Sequence, residues 1–136
     1  MVVETGAVAD TPKKLFSIDG REGQVLTYSS FLPALVEVYQ LTAAPSAPVF
    51  TQVSPTSSLY EPYRIAHAKR MIGTYTHPAS EIKCKHLMVL LGLAEGWTVT
   101  PSETIFAAYW NQAQSKGYLI GGCTDPENLA HWEDLP

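Results

Sequence analysis

"SEIKCKHLMVLL", residues 80–91, is the most apolar run of the chain, and it opens on a cysteine, two lysines and a histidine. Its reading decides where the core lies, and whether Cys84 and His86 belong to one chemical site. Pro78-Ala79-Ser80 followed by Glu81 is a helix-start pattern, with Ser80 as N-cap and an acid in the first turn. The spacing therefore predicts a helix over 81–91, closed by Gly92 or Gly96. Leu87 to Leu91 is apolar on every side, so this helix is central and covered on most faces. Residues two apart on a helix differ in direction by about 200°. Cys84 and His86 then point to opposite sides and do not converge on one metal or substrate. Cys84 shares a row with Leu87, Met88 and Leu91 and reads as a core thiol. His86 falls with Ile82, Val89 and Leu93 at a wetter edge.

Working outward, "SSFLPALVEVYQL" predicts a helix with Ser30 as N-cap. Leu32, Leu35, Val36 and Tyr39 make its buried stripe, and Pro33 sits in the first turn where no N–H is missed. "SLYEPYRIAHAKRMIG" predicts a second helix over 61–72, on which Ile65, Ala68 and Ile72 share a stripe. "TPSE" at 100–103 has the form of a capping box, with Thr100 as N-cap, Pro101 at the first helical position and Glu103 at the third. From there Ile105, Tyr109 and Ala113, with Phe106 and Trp110, make an inward face, and Lys116-Gly117 is a stop signal. "TDPE" at 124–127 has the same form and predicts a short C-terminal helix through Trp132, before an acidic, exposed tail. Between Leu15 and Tyr28, apolar residues flank Asp19-Gly20 and Gly23 and predict a β-hairpin. "VFTQV" and "YLI" read as short strands. No internal repeat is evident. The fold class expected is α+β, mainly α: three main helices, a short C-terminal helix and a small antiparallel β element. Residues 1–13 read as a flexible arm and 14–136 as one globular domain.

Composition narrows the function. The chain has 136 residues, 46% of them hydrophobic, and a net charge of −4, which is unlike a general nucleic-acid binder. No signal peptide or apolar run of membrane-spanning length is evident, so a cytoplasmic protein with reduced thiols is expected. The charge is uneven. Residues 62–86 hold Arg64, Lys69, Arg70, Lys83 and Lys85 against Glu81 alone, with His67, His77 and His86 among them. Arg64, His67 and Arg70 are spaced by three and share one side of the expected helix. With Tyr60 and Tyr63, and Tyr75 further on, they form the candidate partner-binding surface, since tyrosine and arginine suit interfaces. The alternative is ordinary solvated charge beside tyrosines that cap the core.

No G-x-S-x-G, P-loop, G-x-G-x-x-G, H-E-x-x-H or paired C-x-x-C is present. No catalytic, cofactor-binding or metal-ligating residue is therefore assigned, and no cofactor is expected. The favoured function is a non-catalytic interaction or assembly module, an accessory part of a larger complex or viral particle, with a protein partner or a second copy of the chain. Two alternatives stand beside it. Cys123 follows two glycines and precedes a helix-start pattern, a setting for a nucleophilic thiol with His131 or His77 as base. Residues 81–122 also resemble a winged-helix domain in element order. That resemblance implies DNA binding, but one nearly uncharged helix fills the place of a recognition helix.

Overall fold

The computed structural model describes residues 15–43, 54, 56–73, 76–119 and 123–136. Among these are four α-helices: α1 (Tyr28–Tyr39), α2 (Tyr60–Ala68), α3 (Cys84–Glu95) and α4 (Ile105–Ser115). A short 3-10 helix, Trp132–Asp134, follows. The protein is mainly helical, and no sheet forms among the described residues. The expected arm 1–13 and the "VFTQV" strand lie outside them.

The opening stretch is split between two conformations. Glu81 and Lys83 are extended and bridged to Thr27 and Leu129, and the helix starts only at Cys84. The reason is a ring of three short segments. Leu26 N–H donates to the Ala130 carbonyl (2.8 Å), Ala130 N–H to Ile82 (2.8 Å), and Ile82 N–H to Leu26 (2.9 Å). One layer on, Tyr28 N–H reaches Ser80, Cys84 N–H reaches Asn128, and Trp132 N–H reaches Gln24. Each segment buries its middle residue, bridges its neighbours, and turns at once into a helix. Leu26, Ile82 and Ala130 are sealed from solvent, as are Phe31, Leu87 and Leu135, the residues five further on. A buried backbone N–H must find a partner, and here each segment's partner is the next segment in the ring. This overrides the Ser80 cap signal, because a helix begun at 81 would orphan the Leu26 carbonyl and the Ala130 N–H.

The same ring explains why no hairpin forms over 15–28. Arg21 and Gln24 close two turns, at positive-φ Gly20 and Gly23, and the chain then pairs with residues 130–132 and 80–82 instead of with itself. The helix-start patterns shift likewise. α1 begins at Tyr28 under Thr27, whose hydroxyl accepts the Ser30 N–H while Ser30 Oγ accepts the Thr27 N–H. Pro33 consequently lies inside the helix, where it cannot donate to the Ser29 carbonyl. α2 is shorter than expected, ending at Ala68, with Arg70 beyond it at φ +62°. α4 is capped by Thr104, which accepts the Ala107 N–H at 3.0 Å, and not by Thr100. It ends as read, with Lys116 as cap and Gly117 at φ +75°.

Residues 124–127 form turns, with Asp125 Oδ1 accepting the Glu127 N–H. The tail is not an exposed appendage: Trp132, Asp134 and Leu135 are buried. α3 packs along α4, α2 along α1, and α1 touches α3. Trp132 meets Phe31 at 6.3 Å and Phe16 meets Phe31 at 5.6 Å, joining the ring to the helical core. Cys84 is bonded to Cys123 across a Cα–Cα distance of 5.4 Å, which corrects the expectation of two reduced thiols.

Candidate functional site

A cavity of about 710 Å³ opens between the end of α2, α3 and the start of α4. Its floor is apolar. Met71 and Ile72 come from the chain after α2, and Val89 and Leu90 from α3. Phe106 and Ile105 form a wall, and Ile105 stays 55% exposed, so an apolar side chain faces water at the mouth. Tyr28, His67, Arg70, Thr76 and His86 supply the polar groups, and no carboxylate lines the cavity among the described residues.

His86 is positioned by the helix start. Cys84 turns into the core at the first helical residue, and two residues on His86 faces the other way, as the sequence argues. Its ring meets Phe106 edge-on at 5.1 Å. Its Nδ1 is buried without a hydrogen-bond partner, an arrangement that costs free energy unless something fills the site. Burial, and then the nearby ammonium groups of Lys85 and Lys83, push its pKa down.

The basic segment is sorted by its pairings. Arg64 makes a two-pronged ion pair with Glu61, at 2.6 and 3.0 Å. Lys85 and Lys83 share Glu127, at 2.6 and 2.9 Å, and hold its carboxyl down to about 2. Lys69 and Arg70 are exposed and carry no ion pair among the described residues. The left-handed backbone of Arg70, unfavourable for a non-glycine residue, carries its side chain to the mouth.

The five partner-binding candidates are therefore separated. His67 and Arg70 line the cavity. Tyr63 is fully buried and its phenol pKa is pushed up, so it is core and not surface. Tyr60 is half-buried against the core. Arg64 is engaged with Glu61, and because α2 ends at Ala68, Arg64, His67 and Arg70 do not form a stripe on one helix. Tyr75 lies outside the described residues. The sequence reading missed Met71, Ile72, Val89, Ile105 and Phe106 as lining residues. The available signal was Ile105-Phe106 at a helix start, two large apolar residues where one face must be wet.

Cys123 is buried and disulfide-bonded, so it presents no thiol to a substrate. A second polar cluster is structural. Glu95 accepts Tyr39 Oη (2.5 Å), Trp97 Nε1 (2.7 Å) and Tyr118 Oη (2.9 Å), tying the ends of α1, α3 and α4 together. Burial, and then this bond, push the Tyr118 phenol up to about 12. No helix among the described residues is long and apolar enough to cross a membrane. No known family model, curated protein or solved structure matches this chain.

Proposed function

We propose that the chain is a non-catalytic interaction module that docks an apolar side chain of a partner protein, flanked by an acidic residue, into the cavity beside α3. One observation carries this reading: a cavity with an apolar floor and, among the described residues, a lining whose charged side chain is the cation Arg70. The floor rewards burial of an apolar side chain at about 25 cal/mol per Å². Arg70, with Lys69 next to it, attracts a carboxylate at the rim, and such charges act mainly on the rate of encounter. The protein would serve as an accessory component of a larger assembly.

The test is selection of displayed peptides on the folded chain. The reading expects enrichment of sequences with a large apolar residue next to Asp or Glu. Binding should weaken in Arg70→Glu and in Ile105→Asp, the defect of Arg70→Glu should shrink as salt rises, and Arg64→Glu should bind normally. Selected peptides without an acidic–apolar pattern, or binding indifferent to Arg70→Glu, would contradict it.

A further inference from the structure

Cys84, Cys123 and Asp134 form a second buried cluster, and none of them lines the cavity. Their two sulfurs and a carboxylate oxygen all lie within 4.8 Å of one another. We propose that, once the disulfide is reduced, these three side chains bind a borderline-soft divalent cation such as Zn²⁺. The inference is independent of the docking reading.

Preorganisation is the first argument. Contacts other than the disulfide hold two of these groups. Cys84 is fixed by its N–H bond to Asn128 and by Ile82 in the backbone ring. Asp134 is fixed by the His131 N–H, which it accepts at 3.0 Å, and by Trp132 and Leu135, both buried. Backbone bonds other than the disulfide tie residues 128–132 to residues 24–26 and 82–84. The proposal requires that these bonds keep the ligand atoms together once the sulfur–sulfur bond opens.

Chemistry is the second argument. Cys84, Cys123 and Asp134 bring two sulfurs and a carboxylate oxygen together in the interior, and a divalent cation takes them as two thiolates and a carboxylate. A carboxylate has lone pairs for a metal as well as for the backbone bond it already accepts. Two sulfurs with one oxygen suit Zn²⁺ or Co²⁺ and do not suit Ca²⁺ or Mg²⁺. Three protein ligands leave a fourth tetrahedral position to water or another small ligand.

The reaction balances simply. A water-soluble phosphine gives an electron pair to the sulfur–sulfur bond and takes up the oxygen of a water, becoming phosphine oxide. The two sulfurs leave as thiols, carrying that water's two protons. Cation binding then releases those two protons to solvent.

The experiment uses the intact chain, reduced with phosphine until both thiols titrate, freed of reductant without oxygen and titrated with Co²⁺. Expected are one Co²⁺ per chain, a near-ultraviolet sulfur-to-cobalt band, visible bands of a tetrahedral ion, and release of two protons. Zn²⁺ should displace the colour, and the disulfide form should stay colourless. Asp134→Asn should weaken binding by ~10-fold or more. If that variant does not fold, Asp134→Glu is used, and its longer carboxylate should shift the visible bands. A reduced, folded chain with no sulfur-to-cobalt band would overturn the proposal. So would equal affinity in Asp134→Asn, unshifted bands in Asp134→Glu, or loss of the fold on reduction, since the ring would then not hold the ligands.

Discussion

Gly92 lies in the middle of α3 where α4 crosses it, and its replacement by alanine sets two known effects against each other. Helix propensity favours the substitution by ~1 kcal/mol, because glycine is the costliest ordinary residue in a helix interior. Packing opposes it. A Cβ at Gly92 would stand 2.8 Å from Trp97 Cε3, and closer still to Cδ1 and Cε1 of Tyr109. Ordinary carbon contacts are about 3.5–4.0 Å. The Tyr109 ring cannot simply swing aside: it is 8% exposed and stacked on Trp97 at 6.2 Å. Trp97 is in turn held by its Nε1–Glu95 bond. Overpacking of this kind costs ~1–3 kcal/mol, and the rigid aromatic pair places this site at the upper end. The net expectation for Gly92→Ala is a loss of about 1–2 kcal/mol. Urea unfolding followed by tryptophan fluorescence measures it, and near-ultraviolet dichroism should show the disturbed Trp97–Tyr109 pair. A variant as stable as the parent, or more stable, would mean that α3 and α4 do not meet at Gly92.

Three further outcomes follow from the same geometry. Thr104→Ala should cost ~0.5–2 kcal/mol through the lost N-cap bond while Thr100→Ala costs little, measured by paired thermal melts. Cys84→Ala with Cys123→Ala should cost about 4 kcal/mol, since the bond closes a loop across 39 positions; denaturant unfolding should show the loss with the fold retained. Glu127, whose folded pKa is held at about 2 against an ordinary 4.5, stabilises the fold above that ordinary value and loses the contribution as pH falls toward 2. Glu127→Gln should accordingly flatten the acid limb of a stability–pH curve.

The helical character, the core row of Cys84, Leu87, Met88 and Leu91, and the opposed directions of Cys84 and His86 were legible in residue spacing. Periodicity reports which face of a helix is apolar, and that is a local property. The start of α3 was not legible, because Ser80 offers a good local cap that is outvoted by backbone bonds to residues 26 and 128–130. Thr100 lost to Thr104 in the same way: a capping pattern states that a helix can begin, and only packing states where it does. The disulfide joins residues whose proximity depends on the ring, so two cysteines 39 apart gave no sign of it. The basic segment was visible as charge, but its sorting into paired Arg64, Lys83 and Lys85 and open Lys69 and Arg70 rests on Glu61 and Glu127, one of them distant in sequence.

The central claim is that the cavity beside α3 is the working surface. Its most direct test is a chemical-shift titration of the isotope-labelled chain with a selected acidic–apolar peptide. The account predicts shifts concentrated at His67, Arg70, Ile72, Val89 and Phe106, with the His86 imidazole moving with them. Shifts centred instead on the hollow lined by Phe16, Pro33 and Val38, or spread without a centre, would contradict it.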